Sequence, residues 1–516
     1  MAKISQITDD ATINLALDTI RIKKQAIVFV NSKNSAEKTA ENLSKKLKDT
    51  PEFEHLVEFV LHSLAKPTKQ CERLAKCIKK GVAFHHAGLT SKQKTVIEDG
   101  FRKGEIKVIC STPTLAMGLD LPAFRAIMKT LKRYGRRGLQ YIPVLEYLQM
   151  AGRAGRPKYD SYGESIIVSG TKAEKEELHE KFICGKPEDI YSKLAVEPVL
   201  RTYVLSLIAT NYVNSKKDLV EFFSKTFWAH QFKDMFKIES IIDKILGLLE
   251  DWEFLIGYGN DFQSANELGE EKFKATRIGK RVAELYIDPL TAHNLINGIQ
   301  RAASMNLNDI SFLQLVSNTL EMRPLLRVRV SEYDIVGEEL VKNSEFILQD
   351  EPSLYESEYE DFINSVKTAM FLKDWINEKG EEDLLEKYNI RPGEIKVKVD
   401  LADWLLYCSE EFVKMLAFQP LIKEIAKMRI RVKNGVKEEI ITLLRLKGVG
   451  RVRARKMYNA RIRDLGDLKK VDITKLVQLL GKGIALSLKE QVGQDMSKIV
   501  VKERKRKGQI SLKDYV

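Results

Sequence analysis

No segment of this chain reads G-x-x-x-x-G-K-[ST], so the usual glycine-rich cradle for a nucleotide's phosphates is missing from its 516 residues. Cysteine is scarce. Cys71, Cys77, Cys110, Cys184 and Cys408 are scattered, which excludes the disulfide framework of an extracellular module. Cys71 and Cys77 with His85 and His86 fit no usual zinc spacing, so the thiols are expected to be buried or helical and no metal site is read. There is no signal-peptide pattern and no apolar run of about 18 residues. The expectation is an intracellular soluble protein without a membrane partner.

The length suggests roughly 3–5 domains. The chain carries 85 basic and 72 acidic side chains, a formal net charge of +13. That excess favours a polyanionic partner, although alone it argues only for non-specific binding. Short apolar runs at Ala26–Val30, Val82–His85, Lys107–Cys110, Ala126–Met128 and Ser165–Val168 alternate with helical stretches. Ser35 is read as the cap of the helix after the first run, and Ser91 as the start of the helix that ends near Gly100. Buried β runs between helices predict a parallel sheet covered on both faces, with ligands at the carboxyl ends of the strands. After about residue 185 the pattern becomes mainly helical, with a short β-wing expected between Phe254 and Thr276.

Gln149-Met150-Ala151-Gly152-Arg153-Ala154-Gly155-Arg156 is the most informative octet. Guanidinium groups fork onto phosphate oxygens and stabilise charge on a transferred phosphoryl group. Gly152 and Gly155 permit a tight backbone between them. The alternative is a basic surface loop. The second segment is Ser111-Thr112-Pro113-Thr114, continuing to Gly118-Leu119-Asp120-Leu121-Pro122-Ala123. Its hydroxyls and N–H groups suit a phosphate, of a nucleotide or of a nucleic-acid backbone. Asp120 reads either as a contact to ribose, water or arginine, or as a helix-terminal cap. His86-Ala87-Gly88-Leu89 precedes a helix and places main chain near phosphates, with its histidine structural. Leu446-Lys447-Gly448-Val449-Gly450-Arg451-Val452-Arg453 is a helix–hairpin–helix signature, in which glycines let backbone N–H groups approach phosphate closely. A second such turn is read at Gly481 to Ala485.

Together these segments resemble the second motor domain of superfamily 2 helicases, and the whole chain resembles the archaeal Hjm family of DNA helicases, relatives of the Ski-type RNA helicases. The family reads G-V-N-L-P-A where this chain has Gly118-Leu119-Asp120-Leu121-Pro122-Ala123. The resemblance implies an α/β RecA-like domain (1–185), then mostly α domains: a winged helix (186–290), a helical ratchet (291–430) and a helix–hairpin–helix unit (431–500). A basic tail follows (501–516).

It further implies that Gln149, Arg153 and Arg156 act in catalysis, and that Gly118, Asp120 and Gly152 face ATP. Ser111, Thr112 and Thr114 would touch the tracking strand. Trp404 would stack on a base from the long ratchet helix, with core packing against Leu401 and Leu405 as the alternative. Lys396 and Lys398 on that helix would reach phosphates, although the family often has arginine at the position of Val397. Gly448, Gly450, Arg451 and Arg453 would grip the emerging strand. A hairpin within Leu131 to Tyr141, carrying Lys132, Arg133, Tyr134 and Arg136, would split the duplex. Gln509, Leu512, Tyr515 and Val516 resemble a sliding-clamp (PCNA) binding box, the alternative being a frayed terminus.

The reading is the carboxyl-terminal part of an ATP-dependent 3′-to-5′ DNA helicase acting on single-stranded and forked DNA in an archaeal cytoplasm, at the nucleoid. ATP and Mg²⁺ would be bound mainly by a first RecA-like motor domain, on the same gene or a separate chain, and this chain alone should not hydrolyse ATP. Two alternatives remain: a non-catalytic nucleic-acid-binding regulator and a related RNA helicase.

Overall fold

Five short runs of Val, Ile, Ala and Phe become the strands of one parallel sheet, because apolar side chains on both faces can be buried only between layers of helices. The strands are β1 (Ala26–Phe29), β2 (Val82–His85), β3 (Val108–Ser111), β4 (Arg125–Met128) and, beyond the hairpin of β5 (Lys132–Gly135) and β6 (Gly138–Tyr141), β7 (Glu164–Ile167). Their order is β2-β3-β1-β4-β7, and every neighbouring pair is parallel. This computed structural model describes residues 4–64, 66–135, 138–156, 160–194, 196–258 and 272–494. An α/β, RecA-like region is thus followed by a long run of helices.

The chain divides into two units, Met1–Ser192 with Glu381–Val397, and Lys193–Gly380 with Lys398–Val516. In the first unit, the core is built around Phe29, Phe84, Phe101 and Phe182, all fully buried. Burial of each contributes about 1.5–3 kcal/mol. Helix starts are set by hydroxyl and carboxylate caps. Asp10 accepts from Thr12 N before Ala11–Arg21, Thr68 from Cys71 N before Lys69–Ile78, and Thr90 with Gln93 forms a capping box before Ser91–Arg102. The cap of Lys33–Ser44 is Ser32, not Ser35: the Ser32 hydroxyl accepts from the Ser35 N–H at 3.2 Å. Cys71 and Cys77 are buried on their helix.

Arg125 opens β4 and ties three elements. Its Nη1 donates to Asp18 Oδ2 at 2.7 Å and to Thr19 Oγ1 at 3.1 Å on the first helix, and its Nε donates to Glu164 at 2.5 Å on β7. β5 and β6 leave the sheet as a separate antiparallel pair, with Lys132 opposite Tyr141 and Gly135 opposite Gly138.

The second unit begins with helices Glu197–Ala209, Lys216–Ser224 and Met235–Asp251, followed by an antiparallel pair, β8 (Leu255–Tyr258) and β9 (Lys272–Ala275). Thr276 caps Arg277–Leu285 by accepting from Gly279 N at 2.9 Å. Gly279 is required there, since a Cβ would lie 2.0 Å from the Phe254 carbonyl oxygen. Asp288 caps Pro289–Ala302 and forms a buried pair with Arg201 at 2.7 Å. Farther on, Asp309–Ser317, Tyr359–Ile376 and Gln419–Asn434 are helices, and the helix Pro392–Met415 starts in the first unit and ends in the second. Residues 436–492 enclose a small core of their own, including Leu443, Met457, Leu476 and Leu488. Among the described residues no helix is long and apolar enough to cross a membrane.

Candidate functional site

The arginine octet lies on the helix Val144–Ala151 and the turn behind it. Pro143 offers no capping side chain, and Glu188 supplies one from a distance. Its carboxylate accepts from Val144 N at 2.7 Å and Leu145 N at 3.2 Å, and those donors hold its carboxyl below the usual range. Gln149 is exposed on this helix, and Gly152 ends it. The chain then runs against the second motif. Ala123 N donates to Arg153 O at 2.8 Å and Gly155 N to Ala123 O at 2.6 Å, a parallel bridge that fuses both segments into one strip. Gly155 has φ +94°, open to glycine without strain, and a Cβ on Gly163 would sit 2.2 Å from Gly155 N.

The two guanidiniums are held differently. Arg153 donates from Nε to the Ala116 carbonyl at 3.1 Å, and from Nη2 to the same oxygen. Arg156 is engaged by charge: Nε and Nη2 meet Asp160 at 2.7 and 3.2 Å, and Nη1 donates to Gln25 at 2.7 Å. The Arg156 hydrogen bond, helped by Lys24 at 2.6 Å, holds the Asp160 carboxyl at about 2. A neutral carbonyl holds a guanidinium less firmly than an ionised carboxylate does, so Arg153 is the more loosely held of the pair. Gly118, at φ +78°, and Asp120 are exposed in the loop between Ala116 and Ala123. Asp120 caps no helix.

At the carboxyl ends of β1, β2 and β3, one expectation needs correcting. Ser111 is 0% exposed and donates its hydroxyl to Thr112 O at 2.8 Å, so it closes the strand end instead of facing a nucleic acid. Thr112 and Thr114 follow on a 3₁₀ turn, with their hydroxyls 3.0 Å apart. They line a solvent-open cavity of about 420 Å³ together with Asn31, Ser32, Lys33 and Arg391.

Arg391 went unnoticed in the sequence. Its Nε donates to Glu37 Oε1 at 3.1 Å, and Glu37 also takes Arg73 Nη1 at 2.7 Å and meets buried His86 at 3.1 Å. His86 accepts from Gly88 N at 3.1 Å, which makes it the structural histidine expected. Burial alone would raise the Glu37 carboxyl. The His86 hydrogen bond and the charges of Arg391 and Arg73 outweigh it and hold the group at about 2, against an ordinary 4.5. Burial, above all, pushes His86 below its usual 6.5. Both groups bind fewer protons folded than unfolded, so both remove stability on acidification, His86 below 6.5 and Glu37 between 4.5 and 2. Glu37→Gln is therefore expected to lower the thermal midpoint at neutral pH and to shrink its fall between pH 4.5 and 2, read by melting across pH.

The hairpin stands where expected. Tyr134 is 82% exposed and Leu139 is exposed as well. Lys132 sits 4.6 Å over the Tyr141 ring, and Arg133 Nη1 donates to both Glu146 oxygens at 2.9 and 2.8 Å. Arg136 lies outside the described residues.

In the second unit Trp404 is half-buried, beside fully buried Leu405. On the same helix, Lys396 is exposed. Lys398 departs from expectation: it is 7% exposed and its ammonium donates to the Met322 carbonyl and to that of Pro324 at 2.7 Å, which turns it away from any phosphate. Gly450 caps Arg451–Asn459 without a side-chain hydrogen bond, leaving the helix's first N–H groups open, and Gly448 has φ +82°. Arg453 donates to Gly448 O at 2.7 Å. Arg451 donates to the Lys379 carbonyl and lies 4.7 Å over Trp375, and Arg455 pairs with Glu378 at 2.6 Å. Gln509, Leu512, Tyr515 and Val516 lie outside the described residues.

Three family models match: "Helicase conserved C-terminal domain" over residues 59–158, "Helix-turn-helix domain" over 163–256 and "Archaeal helicase, domain 4" over 310–435. The ATP-dependent DNA helicase Hel308 of Methanococcus vannielii is 36% identical over 95% of this chain and 68% of its own length. That of Pyrococcus horikoshii is 38% identical over 95% and 67%, and that of Caldivirga maquilingensis 35% over 98% and 69%. The chain spans about two thirds of the length of these relatives.

Proposed function

The chain belongs to the archaeal Hel308 family of ATP-dependent DNA helicases, and we propose that it forms the second motor domain and the DNA-gripping domains of a 3′-to-5′ translocase on forked replication and recombination intermediates. One observation carries this reading: the backbone bridge that joins Ala123 to Arg153 and Gly155. It ties the loop carrying Gly118 and Asp120 to the turn behind the helix that carries Gln149, and so brings Gly152 and the two arginines against that loop at the amino end of β4.

Among the described residues no group of three or more His, Cys, Asp or Glu is arranged to hold a metal. With no Walker lysine in the sequence, the proposal gives Mg²⁺ and the triphosphate cradle to a first motor domain, in the same polypeptide or as a partner. Bound there, ATP supplies a phosphoryl group for transfer to water. This chain's part is charge stabilisation by Arg153 and Arg156 and water positioning by Gln149. Thr112 and Thr114 hold the strand backbone, Trp404 stacks on a base, Gly448, Gly450 and Arg453 take a phosphate at a helix start, and Tyr134 at the hairpin parts the duplex. The carboxyl-terminal tail is proposed to engage a sliding clamp.

Supplying the Walker-bearing domain and measuring ATP turnover with DNA, with RNA and without nucleic acid tests the reading. DNA stimulation and strand displacement are expected. Turnover with neither would leave a nucleic-acid-binding regulator, and preference for RNA a related RNA helicase. Trp404→Ala is expected to weaken single-stranded DNA binding about 5- to 150-fold irrespective of base sequence, read by fluorescence anisotropy, because a lost base–aromatic stack costs about 1–3 kcal/mol.

A further inference from the structure

We propose that Arg391 is a DNA-binding residue: with the amino end of helix Lys33–Ser44 and the Thr112–Thr114 turn, it forms a seat for one backbone phosphate of single-stranded DNA. This rests on the reading above and adds to it a residue remote in sequence from the motor motifs.

Arg391 is fixed in place. It is 7% exposed and lies over Gly88, where a Cβ would come 2.3 Å from its Cδ. Two residues on, Gly393 N donates to Gly88 O at 3.1 Å, and a Cβ on Gly393 would sit 2.3 Å from the Leu89 carbonyl oxygen. The segment 381–397 therefore docks backbone to backbone, and the guanidinium cannot wander as a surface arginine does.

Its donors are not all used. A guanidinium carries five N–H groups. Nε goes to Glu37, and Nη2 gives one to the Asn34 side chain. The other three have no partner among the described residues, and Arg391 lines the 420 Å³ opening. A buried cation with spare donors at a solvent-open cavity is suited to a planar, bidentate oxyanion contact.

The rest of the wall points the same way. Lys33–Ser44 runs for 12 residues with its amino end at the opening. The Ser32 hydroxyl satisfies Ser35 N at 3.2 Å, which leaves the N–H groups of Lys33 and Asn34 without a partner inside the helix. Across the opening, Thr112 and Thr114 share one hydrogen bond at 3.0 Å, so one hydroxyl proton remains to donate. Lys33 and Arg391 are the charged lining residues, and no acidic side chain is among them. Glu37 and Glu394 anchor the two cations from behind without lining the cavity. Donors and positive charge without an acceptor carboxylate favour phosphate over a base edge or a cation.

The test is anisotropy of a labelled oligothymidylate titrated with the whole chain over a range of salt. Arg391→Met is expected to weaken binding about tenfold and to lower the slope of log affinity against log salt by about 0.7, the value for one released counterion on a single strand. Because Arg391→Met also cuts the tie to Glu37, a second variant places a charge in the opening without touching the network. Asn31→Asp gives up only the exposed hydrogen bond from Asn31 Nδ2 to the Lys132 carbonyl at 3.3 Å, and it is expected to weaken binding similarly with only a small fall in thermal midpoint. A set of oligothymidylates with one neutral methylphosphonate each should show one position where the wild type loses affinity and Arg391→Met loses none.

Wild-type binding together with unaltered affinity and salt slope in Asn31→Asp overturns the site. Displacement of DNA by inorganic phosphate beyond matched chloride, with no methylphosphonate-sensitive position, assigns the seat to a free anion and overturns it too. Failure of the wild type to bind any single strand is a different result and defeats the translocase reading itself.

Discussion

Arg153→Ala is expected to cut DNA-stimulated ATP turnover by about 10³-fold or more when a Walker-bearing motor domain is present, with the thermal midpoint of the chain almost unmoved. The size follows from the worth of an arginine that meets charge developing on a transferred phosphoryl group. The separation of activity from stability follows from what Arg153 touches, a backbone carbonyl at Ala116 and no carboxylate. Its loss frees one neutral acceptor, the carbonyl of buried Ala116, and water entering the space vacated by the half-buried guanidinium satisfies it. Arg156→Ala should lower turnover as well, but with a fall in stability, since it strips Asp160 of its main partner and leaves Lys24 alone beside that carboxylate. Steady-state turnover set beside calorimetric midpoints distinguishes the two arginines. Undiminished turnover in Arg153→Ala would remove it from the reacting phosphate.

Arg125→Ala should have the largest effect on stability. Arg125 is 5% exposed and holds Asp18 on the first helix and Glu164 on the outer strand, so its removal leaves Asp18 with exposed Arg21 as its remaining cation and takes the cation from Glu164. Breaking one side of such a pair costs about 3–5 kcal/mol. For a unit of this size that lowers the midpoint by roughly 10 °C. The transition to follow is that of the first unit, by calorimetry, since a multi-domain chain does not melt in one step. Arg125→Lys should recover little, because one ammonium cannot face two carboxylates on different elements in the way a planar fork does.

The sheet was readable because buried parallel strands appear as unbroken apolar runs. Observed ends differ from expectation by a residue, as at Val108–Ser111 against Lys107–Cys110. The start of the first capped helix was misplaced because Ser32 and Ser35 both satisfy the capping pattern, and choosing between them needs the backbone, extended at Ser32 with φ −148°. Lys398 and Ser111 fail for a related reason. A polar residue at the edge of a buried stripe faces either inward or outward, and which way depends on carbonyls elsewhere, here those of Met322 and Pro324. Arg391 could not be seen locally, since its partner Glu37 is 354 positions away. The arginine octet was legible as a glycine-marked turn, while the resting partners of its two guanidiniums were not.

The clasp between Arg156 and Asp160 sets a threshold for whatever approaches that edge. The carboxylate stays ionised down to about pH 2, so mild acid cannot loosen it. The pair is also too enclosed, at 19% and 1% side-chain exposure, for dissolved salt to screen it well. An approaching anion must therefore concentrate more negative charge than one carboxylate to draw the guanidinium away. On the proposed reading polyphosphates meet that requirement and chloride does not, so Arg156 would answer to charge density before any catalytic geometry is assembled.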